Sequence, residues 1–140
     1  MAQARRPPAD PRTEYERLCR VAEHEKTAAG AKQQRGPVLR THDVVRRAAA
    51  RRVVLLRSED SSENPGCTDQ PQDVTDRGDP ILEVDHIQEL ATGGRDHPEQ
   101  MIALCPNCHA VKTRGRSRER LREVLLATAK ERHTAWRPSA

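Results

Sequence analysis

The chain has 140 residues, a third of them charged, with one Trp, one Tyr, no Phe and a net charge of +4. That length leaves room for one domain with appendages rather than a multi-domain enzyme. A core limited to Val, Leu, Ile and Ala is small enough to need support from a metal or disulfides, and no apolar run approaches the ~18 residues of a membrane span.

Residues 1–12 contain Pro7, Pro8 and Pro11 among Arg and Ala and are expected to be disordered, with no apolar run of a secretory leader. Thr13 and Glu16 fit a capping box. Tyr15, Leu18, Cys19 and Ala22 then fall on one face of a helix that frays into Thr27–Gly36, and Gly36-Pro37 is a break. A second helix is predicted from about Thr41 to Arg57, with Val45, Ala48, Ala49, Arg52 and Leu56 at helical spacing and Arg46, Arg47 and Arg51 outside it. Residues 58–80 read as a polar loop, and Ile81–Ile87 as a short strand. A loop follows at Ala91–Pro98 with Gly93-Gly94 inside it, then a second short strand at Met101–Leu104. A last helix carries Leu121, Val124, Leu125, Thr128 and Ala129 on one side.

Charge is distributed unevenly along these elements. Residues 1–57 carry 14 Lys and Arg against 6 Asp and Glu, residues 58–110 carry 2 against 12, and residues 111–140 carry 9 against 3. An acidic middle between basic flanks suits a divalent cation in the middle and a polyanion such as nucleic acid against the flanks, although solvated helix faces give charge runs of the same kind.

Two motifs carry chemistry. Cys105-Pro106-Asn107-Cys108 puts two thiols three residues apart on a turn, a spacing that lets both reach one soft ion, and Cys67 lies upstream after Asn64-Pro65-Gly66. A redox reading of the pair would call for a strand–helix context with an exposed first Cys; here that Cys follows an apolar run. The thiols are therefore read as metal ligands in a cytoplasmic protein. Asp85-His86 is the second motif: neighbouring strand residues point to opposite faces, so the two side chains are expected to do separate jobs.

The strand with Asp85-His86, the Gly93-Gly94 loop, the second strand and the ending Leu104-Cys105-x-x-Cys108-His109-x-x-Lys112 together resemble the HNH endonuclease family, the ββα-metal nucleases. The motif spans 81–113, and the wider likeness runs from about Val53 to Ala129. The resemblance implies that Asp85 and His109 ligate one catalytic divalent metal, which could be Mg²⁺, Mn²⁺, Ni²⁺ or Zn²⁺, and that His86 is the general base for phosphodiester hydrolysis leaving a 5′-phosphate. Gln100 stands where the family's central Asn would tie the loop and orient the base, so it is placed with His86 in the catalytic set.

Thr113 stands where some members carry a further His ligand. Cys67, Cys105 and Cys108 are implied as ligands of a structural Zn²⁺. The cysteine that usually precedes the Pro-Gly-Cys turn is replaced by Ser61-Ser62-Glu63-Asn64, which leaves the fourth ligand open among Asp69, His97, Cys19 and water. Lys112, Arg114 and Arg116 would hold the DNA backbone, while Trp136 more naturally packs on its own helix than on a base.

The expected fold is α+β, a small ββα-metal (HNH) core with flanking N-terminal and C-terminal helices. Residues 1–40 form a basic, partly disordered segment with one helix, 41–133 the nuclease domain and 134–140 a tail. The expected activity is metal-dependent endonucleolytic hydrolysis of DNA, most naturally double-stranded. The alternative is a catalytically inactive HNH-like zinc-binding module that binds DNA or a protein partner.

Overall fold

The structure is a computed structural model and describes residues 10–29, 37–88 and 96–137. The Gly93-Gly94 loop, residues 1–9 and the stretch 30–36 lie outside the described residues. The first helix, α1 (Pro11–Ala29), begins two residues before the expected Thr13. Asp10 precedes it and its carbonyl accepts the Glu14 N–H at 3.0 Å. The Thr13 hydroxyl donates to the Asp10 carboxylate at 3.2 Å, and Pro11 takes the first helical position, where a missing N–H costs nothing. The capping box is therefore displaced, and Glu16 instead pairs with Arg20 one turn on.

Helix α2 (Pro37–Ser58) packs against α1 but shows a different face from the one expected. Ala49, Ala50, Val53 and Val54 are buried, whereas Val45 is 48% exposed and Ala48 and Arg52 face solvent. The helical period is right and its phase is wrong. The run Ala48–Leu56 offers apolar residues on more than one face, and the buried stripe continues by helical spacing to Arg57, a charged residue. Arg57 is nonetheless buried. Its Nε donates to Glu63 at 2.8 Å and its Nη2 to the same carboxylate at 3.3 Å. Nη1 donates to the Pro98 carbonyl at 2.6 Å and Nη2 to the Met101 carbonyl at 2.7 Å.

Strands β1 (Glu83–His86) and β2 (Met101–Leu104) form an antiparallel pair with Glu83 opposite Leu104 and His86 opposite Met101. A short 3₁₀ turn, Pro98–Gln100, leads into β2. All four residues of β2 are buried, and its alternation divides the core in two. Met101 and Ala103 join Tyr15, Leu18, Cys19, Ala22 and the apolar face of α2. Ile102 and Leu104 join Ile87, Cys105, Cys108, Leu125 and Ala129. That second cluster belongs to α3 (Pro106–Arg114) and α4 (Arg118–Trp136). Helix α4 buries Leu125, Thr128 and Ala129 as expected, while Val124 is exposed.

Between α3 and α4 the chain turns at Gly115, whose N–H caps the Val111 carbonyl at 2.8 Å. A Cβ at this position would lie 2.6 Å from that same oxygen, so the turn requires glycine. The fold is thus α+β, with the ββα unit flanked by N- and C-terminal helices. Helix α1 and the end of α4 meet where Trp136 packs on Tyr15 with ring centroids 5.5 Å apart and Arg12 lies over the indole. Among the described residues no helix is long and apolar enough to cross a membrane.

Two predictions follow from this packing. Arg57→Met strands the Glu63 carboxylate in the core and is expected to destabilise the fold by about 3–5 kcal/mol in urea unfolding. Arg57→Lys recovers only part of that, because one ammonium cannot reproduce a planar fork reaching three acceptor groups.

His133 supplies the second prediction. It shares a 2.7 Å hydrogen bond with the Tyr15 hydroxyl, and burial, aided by His97 and nearby arginines, pushes its pKa down from 6.5 to about 4. The unfolded chain takes up a proton that the folded chain refuses. The neutral ring's contribution to stability is therefore complete above pH 6.5 and declines as pH falls to about 4. His133→Phe should flatten the thermal midpoint against pH across that window.

Candidate active site

Strand β1 aims successive side chains at different partners. Asp85 faces α3: its Oδ2 lies 2.9 Å from His109 Nε2 and 2.7 Å from the Lys112 ammonium. Its Oδ1 accepts the His86 backbone N–H at 2.8 Å. Burial raises the Asp85 carboxyl, but the Lys112 ammonium, the His86 N–H and His109 outweigh it and hold the group below the usual carboxylate range. Glu83, two residues earlier and so on the same face of the strand, reaches the other ring nitrogen of His109 at 3.2 Å. A carboxylate on the far nitrogen fixes the ring's orientation, the arrangement usual for a metal-bound histidine. An anionic oxygen beside an imidazole so oriented fits a divalent cation. Glu83 was missed by motif reasoning, although its i, i+2 relation to Asp85 could have identified it.

His86 points elsewhere. Its Nε2 lies 2.5 Å from Asp96 Oδ1, and Asp96 in turn receives Arg46 at 3.2 Å and Arg47 at 3.3 Å on Oδ2. Asp96 is a second residue that sequence reasoning passed over, because it sits in a polar stretch with no periodic signal. Gln100 stands at the end of the 3₁₀ turn. Its backbone ties the loop, with the Ile87 N–H donating to its carbonyl at 2.9 Å and its own N–H donating to the His97 carbonyl at 2.8 Å. The Gln100 side-chain oxygen is buried with no hydrogen-bond partner among the described residues. The residue that meets the His86 ring is therefore Asp96.

Lys112, expected against the DNA backbone near the metal, has a side chain only 6% exposed, and its ammonium donates to the His86 carbonyl at 2.8 Å as well as to Asp85. The helical turn from His109 to Lys112 carries both residues toward β1, which places this charge inside the site. Arg114 and Arg116 are exposed, as a backbone contact would need.

The thiols converge as their spacing suggests. Cys105 caps α3: its sulfur accepts the Cys108 N–H at 3.5 Å, and Pro106 opens the helix. Cys67 Sγ is 3.6 Å from Cys105 Sγ, and Asn64 Nδ2 donates to the Cys108 sulfur at 3.3 Å. Asp69 completes the group: its Oδ1 is 3.9 Å from Cys67 Sγ, and one ligand atom from each of Cys67, Asp69, Cys105 and Cys108 lies within 4.8 Å of the others. Three soft sulfurs and one carboxylate oxygen suit zinc.

The other fourth-ligand candidates lie in different surroundings. Cys19 is buried in the α1–α2 core, where burial pushes its thiol up to about 12. His97 groups with Glu23 and His133. Its Nδ1 accepts the Glu99 N–H, its Nε2 lies 3.2 Å from Glu23, and Glu23 is also bound by Arg137 at 2.5 Å. This second group is a hydrogen-bonded lock between α1, the 3₁₀ turn and the end of α4.

A sequence model of the HNH endonuclease family matches residues 67–115, the span from the first zinc-type cysteine to the glycine that ends α3. These residues belong to the HNH endonuclease family. EcoKMcrA of Escherichia coli K12, described as a type IV methyl-directed restriction enzyme, is 38% identical over 72 residues, 51% of this chain and 25% of that protein. The solved structure of ScoMcrA, described as a type IV phosphorothioation-dependent restriction endonuclease, matches with a TM-score of 0.79 at 41% identity. That match covers 97% of this chain and 25% of the other. The chain therefore spans about a quarter of the length of each relative. The likeness to ScoMcrA extends well beyond the HNH segment.

The thiol environments yield a further prediction. In metal-stripped, reduced protein treated with an alkylating reagent at neutral pH, the part-exposed Cys67 should react first and Cys19 last. Added Zn²⁺ should slow Cys67, Cys105 and Cys108 and leave the rate at Cys19 unchanged, read by mass spectrometry of the labelled peptides.

Proposed function

We propose that this chain is the cleavage module of a DNA endonuclease, hydrolysing phosphodiester bonds with one divalent cation held by Asp85 and His109. The observation that carries this reading is the Asp85–His109 pair at 2.9 Å, with Glu83 bracing the imidazole from behind and His86 on the opposite side of the strand. Mg²⁺, Mn²⁺, Ni²⁺ and Zn²⁺ all accept such a donor set. A bound cation supplies Lewis-acid polarisation of the phosphate and stabilisation of the leaving oxygen.

The remaining work falls to the protein. His86 removes a proton from the attacking water. Lys112 offsets the Asp85 charge and, by holding the His86 carbonyl, fixes the strand end from which the base projects. Arg114 and Arg116 hold the phosphate backbone by bidentate contacts that read no sequence, as suits a duplex substrate. Cys67, Cys105, Cys108 and Asp69 would hold a structural zinc ion, which would tie the loop 59–82 to the start of α3, one turn before His109.

The test is cleavage of supercoiled plasmid with each of the four metals or EDTA, by the wild type and by His86→Ala. Metal-dependent nicking that falls by ~10²–10⁴-fold in the variant supports the assignment. No cleavage with any metal, alongside DNA binding that weakens steeply with salt, would leave an inactive DNA-binding HNH module in its place.

A further inference from the structure

The contact between His86 and Asp96 bears on which atom of the ring acts. An ionised carboxylate can only accept hydrogen bonds. A 2.5 Å approach of Asp96 Oδ1 to His86 Nε2 therefore puts the ring proton on Nε2. Nδ1 then carries the free lone pair, and among the described residues it makes no hydrogen bond. Asp96 is well suited to impose this state. Its side chain is 4% exposed, against 21% for His86, and Arg46 and Arg47 both approach Oδ2, which leaves Oδ1 turned to the ring. The arginines come from α2, fifty residues away in sequence. The family position for orienting the base is occupied by Gln100, whose side-chain oxygen contacts no partner among the described residues.

We infer that Asp96, clamped by Arg46 and Arg47, is the positioning residue that holds His86 in its Nε2–H tautomer, so that Nδ1 is the atom that takes the proton from water. This rests on the nuclease reading above for its catalytic consequence, but the tautomer itself does not. The proton passes from water to Nδ1 as the water oxygen bonds to phosphorus and the P–O3′ bond breaks, the departing 3′ oxygen taking a proton from solvent water. The transient imidazolium, now protonated on both nitrogens, is stabilised by the Asp96 carboxylate and returns its extra proton to solvent after cleavage.

Two readouts test the inference. ¹⁵N-histidine-labelled protein at neutral pH should show His86 as the Nε2–H tautomer, and Asp96→Asn, nearly isosteric, should give a mixture or the opposite tautomer because an amide can donate as well as accept. In plasmid cleavage at saturating DNA, Asp96→Asn should lower kcat by ~10²–10⁴-fold with KM little changed. The double variant His86→Ala/Asp96→Asn should be no slower than His86→Ala alone. Circular dichroism and a thermal melt confirm that each variant is folded.

An Nδ1–H tautomer in the wild type, a wild-type kcat in Asp96→Asn, or a further loss in the double variant would each overturn the role. A wild type that cleaves nothing, with the Nε2–H tautomer lost in Asp96→Asn, would refute the nuclease reading and the catalytic consequence together while confirming Asp96's hold on the ring.

Discussion

The Arg57–Glu63 pair is the contact on which the rest of the arrangement depends. A guanidinium and a carboxylate, both fully removed from solvent, are expensive to bury singly and tolerable only with every acceptor and donor engaged. Arg57 satisfies this by reaching the Pro98 and Met101 carbonyls. Glu63 does so by accepting the Ala103 N–H at 3.0 Å, with Arg132 of α4 at 3.5 Å. The demand for complete pairing thus fixes four elements at one point: the end of α2, the loop after it, the entry to β2, and α4. With so few aromatics, apolar burial alone gives little directional specificity, and this polar node supplies it.

The two halves of the candidate site are built by different parts of the chain. The Asp85, His109, Glu83 and Lys112 cluster lies within the β1–β2–α3 unit, between residues 83 and 112. The surroundings of His86 come from farther away, since Asp96 is held by arginines of α2. Helix α2 therefore reaches the His86 end of β1, and Tyr15, Leu18 and Cys19 of α1 pack in one core with Met101 and Ala103.

Much of this was legible in the residues themselves. Met101–Leu104 is a strand with the expected bounds because four consecutive apolar residues are bracketed by a turn and by Cys105-Pro106. The thiol group, and the separation of Asp85 from His86 by strand alternation, followed from spacing. What escaped was polar. The phase of α2 differs because apolar residues lie on more than one of its faces and Arg57 joins the buried one. Lys112, expected against the DNA backbone, is drawn onto Asp85 and the His86 carbonyl, and a carboxylate outside a motif, such as Asp96 or Glu83, looks like any solvated charge. Burial of a charged side chain depends on partners distant in sequence, here the Pro98 and Met101 carbonyls, 41 and 44 residues away, for Arg57 and the His86 carbonyl, 26 residues away, for Lys112, and no periodicity reports it.

A two-stranded sheet has two open margins, and each is a template on which another polypeptide could add a strand. On the β2 side that template is already used. The Glu63 N–H donates to the Ala103 carbonyl at 2.8 Å, the Glu63 carboxylate accepts the Ala103 N–H, and Arg57 occupies the Met101 carbonyl. One residue's main chain and two side chains imitate a third strand. Strand β2, four buried apolar residues that would otherwise be prone to intermolecular β-pairing and aggregation, is thereby closed to such addition along that margin. The same ion pair that locates the elements also closes the β2 margin of the sheet to a further strand.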